Sequence, residues 1–150
     1  MFTDTITVFN YYKDSLKNVT WYPTVIHGVN LLIDKAAIVA KYGAESKDNA
    51  LLNIHYQTIN GQIMVDGKNY FPPKEWERQT NDKLADSITF ASGTDFDFFM
   101  LGEYPMQNPI NDDDYRNGFF EEVKKEYDYV FAITSVAKYT VIPHFEITGK

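Results

Sequence analysis

The chain has no cysteine. That excludes a disulfide framework, a thiol nucleophile and the thiolate-rich structural zinc sites. No apolar run approaches the roughly 20 residues that a membrane-spanning helix needs. The opening Met1-Phe2-Thr3-Asp4 carries neither a basic nor an apolar leader segment, so no secretory signal is expected. The Asn18-Val19-Thr20 sequon is therefore expected to be chance. Phosphate-cradling glycine loops of the Gly-x-x-x-x-Gly-Lys and Gly-x-Gly-x-x-Gly types do not occur, nor does the Gly-x-Ser-x-Gly turn of a serine nucleophile.

Aromatic residues are abundant instead: 11 Tyr, 11 Phe and 2 Trp in 150 residues. Tyr and Phe suit pleated, half-buried surfaces, and Tyr also suits protein interfaces. The length fits one domain over residues 1–150, large enough to bury a core unaided. Net charge is −7, and its placement says more than its size. Residues 94–128 hold ten acids against three bases, and the remainder holds 11 of each, so this window carries the whole imbalance. An acidic surface repels phosphate backbones, which argues against a sequence-reading nucleic-acid binder.

The hydrophobic pattern is mostly that of strands. Ile6 and Val8 alternate with Thr5 and Thr7 in residues 3–12, and the pattern resumes over 20–32, where Pro23 implies an edge strand or a bulge. Residues 34–41 fit a short helix or a strand, and 43–49 read as a loop. Residues 51–59 form a strand run that ends in Asn60-Gly61, and Asp66-Gly67 marks a second tight turn. Together with 62–65 and 68–71 this predicts a three-strand meander. Pro72-Pro73 stops it and opens a short helix over 74–79. Strands are expected at 87–91 and 96–101, and a closing pair at 129–136 and 139–148 joined near Ala137-Lys138. One substantial helix is expected over about 112–127, capped by Asn111 or Asp112, with Tyr115, Phe119, Val123 and Tyr127 as its buried stripe. The fold class is thus α+β, mainly antiparallel β: a small β-barrel or sandwich with one substantial helix.

Candidate chemistry is sparse. His27, His55 and His144 each stand alone in a predicted strand. Three strands bringing them to one metal is the sharper reading, and ordinary strand histidines the expected one. Asp112-Asp113-Asp114 fails the calcium-loop pattern, since Asn117 and Val123 fall at its sixth and twelfth positions. Helix capping explains the triplet. Glu121-Glu122, Asp95 and Asp97 read as solvated carboxylates rather than an acid–base pair. Phe96, Phe98, Phe99 and Tyr104 lie among acids, so core packing is expected before base stacking. No catalytic residue, cofactor or metal is expected, and the chain reads as a structural or binding part rather than an enzyme.

Several segments together carry a resemblance. They are Asp4-Thr5-Ile6-Thr7-Val8-Phe9-Asn10, Trp21-Tyr22-Pro23-Thr24-Val25-Ile26-His27-Gly28-Val29 and Lys41-Tyr42-Gly43-Ala44-Glu45-Ser46-Lys47. Further along come Pro72-Pro73-Lys74-Glu75-Trp76, Phe98-Phe99-Met100-Leu101-Gly102-Glu103 and Ala132-Ile133-Thr134-Ser135-Val136. The chain resembles an uncharacterised prophage family of Gram-positive gut bacteria, encoded among head and tail genes. It is more distantly similar to head-closure, head–tail joining and minor capsid proteins. In those families an opening strand pair, a mid-chain loop and a late Phe-Phe-x-x-Gly-Glu strand build a small barrel that assembles into rings.

The resemblance implies a virion structural protein in the head–tail connection, present in the bacterial cytoplasm during assembly. Its partners would be other phage structural proteins (portal, adaptor or tail) and copies of itself, with no membrane and no specific nucleic-acid reading. A minor capsid or tail protein is the alternative from the same context. An OB-like barrel binding nucleic acid or carbohydrate is the alternative from another class. Candidate assembly residues are Tyr42, Gly43, Glu45 and Lys47 in one loop, Tyr104 and Met106 around another, and Asp112, Asp113 and Asp114 in the acidic window.

Overall fold

The computed structural model describes residues 2–33 and 50–150. The expectations for 34–41 and 43–49, and the candidates Tyr42, Gly43, Glu45 and Lys47, lie outside the described residues. Strands are numbered in chain order. β1 (Asp4–Lys13) and β2 (Val19–Ile33) form an antiparallel hairpin. Its turn is set by Asp14, whose Oδ1 accepts from the backbone N–H groups of Leu16 and Asn18 at 2.9 Å each. That local bonding is why Asp and Asn favour turns.

Beyond the hairpin, β2 pairs with β3 (Ala50–His55) and β3 with β11 (His144–Gly149). β11 pairs with β10 (Val130–Tyr139), β10 with β8 (Phe98–Leu101), and β8 returns to β1. All six pairings are antiparallel and the circuit closes, so the structure is a six-stranded barrel. Closure removes most of the exposed edge that an open sheet would present. The short β9 (Ile110–Asn111) pairs with β2 at Thr20 and Trp21. Pro23 faces Phe9 within residues 22–29, a stretch of β2 with no second strand partner among the described residues. The missing N–H therefore costs the ladder nothing on that side.

The interior of the barrel is apolar. β3 and β11 alternate buried and half-buried residues, sending Leu52, Ile54, Phe145 and Ile147 inward to meet Ile6, Val8, Ile26 and Phe99. β1 and β8 differ, because both of their faces are covered. Their outward residues Phe9, Phe98 and Met100 pack in a second cluster with Trp21, Ile110, Phe119 and Val123. That is why Phe98-Phe99-Met100 reads as a continuous apolar run rather than an alternation.

Gly149 shows how tightly the barrel is filled. A Cβ placed there would lie 2.8 Å from Phe131 Cβ and 3.0 Å from Phe99 Cε1 and Cζ. Gly149→Ala is therefore expected to cost about 1–3 kcal/mol by overpacking, read as a lowered urea midpoint at unchanged m-value.

A smaller sheet flanks the barrel: β4 (Gln57–Ile59), β5 (Gln62–Val65), β6 (Lys68–Tyr70) and β7 (Ser87–Ile88). The expected meander is present, and both turns have positive φ at their two central residues: Asn60 and Gly61 at 52° and 80°, Asp66 and Gly67 at 45° and 86°. Those are the values that two-residue hairpins require. The single strand expected over 51–59 is divided at Tyr56, so that β3 serves the barrel and β4 the small sheet. Tyr56 is buried there, its hydroxyl donating to Tyr139 O at 2.7 Å. Within 87–91 only Ser87 and Ile88 pair, parallel to β6.

Two short helices follow the small sheet's meander. α1 (Pro73–Glu77) matches the expected helix, and α2 (Asn81–Asp86) was not expected. They bury Trp76 and Leu84 against Tyr22.

The helix expected over 112–127 is a correction. Asp112–Asp114 makes a single 3₁₀ turn capped by Asn111, whose side chain accepts from Asp113 N at 3.1 Å. The helix α3 (Phe119–Glu126) starts only after Gly118. Gly118 has φ +88°, a value foreign to a helix and open mainly to glycine. Tyr115 still packs on Phe119, ring centroids 5.0 Å apart. The buried stripe exists, but the continuous helix does not. The closing strands also meet later than expected, in a turn over 140–143 rather than near Ala137-Lys138.

Candidate functional site

Asp97 is a buried carboxylate at the barrel wall. It lies one residue before β8 and is 1% exposed, so it is not one of the solvated carboxylates expected from the sequence. Its Oδ1 accepts from Tyr11 N at 2.8 Å. Its Oδ2 accepts from Asn10 Nδ2 at 3.0 Å and Ala91 N at 2.8 Å. Asn10 Nδ2 also donates to Thr89 O at 2.7 Å. One carboxylate thus joins β1, the segment after β7 and the start of β8. Burial pushes its pKa up to about 7, against the three N–H donors, which favour the ionised form.

The end of β8 has its own device. Gly102 takes φ +95°, its N–H donates to Thr5 O at 2.8 Å, and its carbonyl accepts from Thr7 Oγ1 at 2.8 Å. Thr7 Oγ1 then accepts from Tyr104 N at 2.9 Å. The Gly-Glu that follows Phe98-Phe99-Met100-Leu101 is therefore where the chain leaves β8 while still held to β1.

The candidate assembly residues divide by role. Tyr104 is half-buried among Phe9, Phe119 and Tyr127. Burial first, then Tyr115, Tyr127 and Glu126, pushes its phenol up to about 12. Met106, Asp113 and Asp114 are exposed. Asp112 is half-buried, and its Oδ1 accepts from Trp21 Nε1 and from Phe119 N, each at 2.9 Å. It satisfies a buried indole and a first-turn N–H of α3 together. Asp112→Ala is expected to cost about 2 kcal/mol, whereas Asp113→Ala and Asp114→Ala should stay within about 0.5 kcal/mol. Urea titration of the three variants checks the contrast.

The three histidines are not brought to one point. Among the described residues no group of three or more His, Asp or Glu side chains is placed to hold a metal ion. His27 and His55 line an open recess of about 340 Å³ together with Asp66. His27 Nδ1 lies 3.1 Å from Asp66 Oδ2, and the same oxygen accepts from His27 N at 2.9 Å. The β5–β6 turn is thereby pinned to the stretch of β2 that has β1 as its one strand partner among the described residues. His55 packs on Phe2 at 3.9 Å between ring centroids. His144, opposite His55 in the register, stacks on Tyr139 at 4.8 Å.

Against this background of structural polar groups, one family model covers the whole chain, residues 1–150. The chain belongs to the family of unknown function DUF6751. No curated protein and no solved structure matches it.

In this DUF6751 chain one turn exposes adjacent large apolar side chains. The turn joining β10 to β11 carries Val141 at 96% and Ile142 at 68% exposure, beside Tyr139 at 46%. Adjacent exposed apolar side chains at the tip of a hairpin depart from the polar turn usual there. The sequence analysis missed this tip. Its signal was the Val-Ile-Pro that follows Tyr139-Thr140, an apolar pair where a turn should be polar.

Proposed function

We propose that this protein is a bacteriophage or prophage virion structural protein, a component of the head–tail connection that acts by protein–protein assembly. The observation that carries the reading is the closed barrel in which β1–β2 and the Phe98-Phe99-Met100-Leu101-Gly102-Glu103 strand take neighbouring places. This is the order of parts that the resemblance to head-closure and head–tail joining proteins implies. The Gly102 anchorage to Thr5 and Thr7 gives the motif a physical reason on this barrel.

The surface agrees with an assembling part. The Val141-Ile142 tip, Met106 and the acidic pair Asp113 and Asp114 are exposed. The partners would be portal, adaptor or tail proteins and further copies of this chain, met in the bacterial cytoplasm and retained in the virion. Should the acidic window face a channel, it would repel DNA and let it slide. Charge reversal at Asp113 and Asp114 tests that idea without disturbing the Asp112 tie to Trp21.

Mass spectrometry of particles purified after prophage induction tests the reading. The expected result is this chain at a fixed, small copy number relative to the major capsid protein. Its absence from particles whose other structural proteins are detected would overturn it.

A further inference from the structure

Strand β10 outruns its neighbour on one side. β11 accompanies it through Tyr139, but β8 covers only Val130, Phe131 and Ala132, and Asp97 O takes the next N–H, that of Ile133. Among the described residues no strand lies along residues 135–139 on that side. Which backbone groups face the gap follows from the ladder. Ala132 and Lys150 exchange both of their bonds, at 3.0 and 2.9 Å, so Lys150 points its N–H and C=O toward β10. By alternation Thr148, Glu146 and His144 do the same, and their partners are Ser135, Ala137 and Tyr139. Val136 and Lys138 therefore turn their N–H and C=O groups outward, away from β11. The register shift between Ile133 and Ser135 sets this phase.

The gap is open. Val136 and Lys138 border a surface recess of about 390 Å³ that Pro73, Ala91 and Ser92 also reach. Phe90 and Phe145 form only its closed floor, at 2% and 0% exposure. A strand edge of this kind is satisfied by water or by another strand. This one is self-complementary, because its outward residues stand two apart. An antiparallel second copy sets Val136 opposite its Lys138 and Lys138 opposite its Val136, each pair exchanging two bonds. Ala137 then meets Ala137 in the closer, non-hydrogen-bonded position, where a methyl group is no obstacle. Lys138 faces Val136 rather than another cation, and Tyr139, 46% exposed, comes beside the second copy's Ser135. We propose that two copies of this chain pair edge to edge along β10, antiparallel about Ala137, in one isologous contact. The pairing is a property of the isolated chain, and it stands or falls apart from any virion role.

The chain has no cysteine, so a single introduced thiol can form a protein disulfide only with a second copy. Ala137→Cys would hold its two Cα atoms about 4.5 Å apart, inside the range for a disulfide. Ser135→Cys, on the same exposed face, would hold them about 14 Å apart, at about 3.4 Å per residue. Under mild oxidation of the full chain, Ala137→Cys should become a covalent dimer while Ser135→Cys stays largely monomeric. Sedimentation velocity of the natural chain from micromolar to millimolar concentration should show a monomer–dimer equilibrium. Ala137→Asp sets two carboxylates face to face and should weaken that equilibrium about tenfold or more, with the far-UV spectrum unchanged. A dimer indifferent to Ala137→Asp, or equal crosslinking of the two thiols, would overturn the proposal. So would a monomer at every concentration, which would leave the edge to water or to a strand from another protein.

Discussion

Asp97→Ala should destabilise the protein by about 3–5 kcal/mol, because each buried donor left without an acceptor costs about 1–3 kcal/mol. The mechanism is specific. Removing the carboxylate leaves Tyr11 N, Ala91 N and Asn10 Nδ2 without their acceptor. Asp97→Asn should cost less, about 1–3 kcal/mol. Its oxygen can serve the two donors now on Oδ2, while its amide opposes the Tyr11 N–H.

Acidity gives the same residue a second signature. Its folded value of about 7 lies above the ordinary carboxylate range because burial dominates. A carboxyl raised in the folded state contributes its full stability below the unfolded value, near pH 4, and loses it as pH rises through about 7. Relative to Asp97→Asn, the natural chain should therefore lose unfolding free energy between about pH 4 and 7. Urea titrations at several pH values check the slope, and parallel profiles for the two chains would show that Asp97 does not titrate in this window.

Phe98→Ala is the other large effect, expected at about 3–5 kcal/mol. Phe98 is fully buried on the outer face of the barrel. Its ring lies 4.5 Å from Phe9, 4.9 Å from Trp21 and 4.7 Å from Phe120, centroid to centroid. Truncation opens a cavity between rings that α3 and β1 hold in place, so collapse is limited. Phe98→Leu keeps more of the volume and should cost less. At about 2–4 °C per kcal/mol for a chain of this size, the alanine variant should melt about 10 °C lower. A scan of both variants checks the ranking.

What the sequence made legible was local. Asn60-Gly61 and Asp66-Gly67 specify their turns through residues adjacent in the chain, and Pro73 opens α1 for the same reason. Phe98 and Phe99 could be read as core because a strand buried on both faces is apolar throughout. Asp97 could not be read, since its three donors come from residues 10, 11 and 91. Only the closed barrel brings them together. Around Gly118 two signals competed: the four-residue stripe from Tyr115 to Tyr127 favours a continuous helix, and Asn117-Gly118 favours a break. The stripe survives in space because Tyr115 reaches Phe119 from outside the helix. α2 escaped notice because Leu84 is the only side chain it buries.

Strand β11 has a consequence for how the protein is made. It sits between β10 and β3, and among the described residues no other strand covers those two edges of the barrel. During translation, β3 emerges from the ribosome before residues 144–149 exist to join it. Its edge then offers an open row of backbone donors and acceptors to any neighbouring nascent chain. Synthesis at about 5–20 residues per second makes that interval brief, but crowded polysomes multiply the encounters. Soluble yield should therefore follow the time taken to insert the closing strand more closely than the final stability of the barrel. A chaperone that shields sheet edges during that interval should raise it.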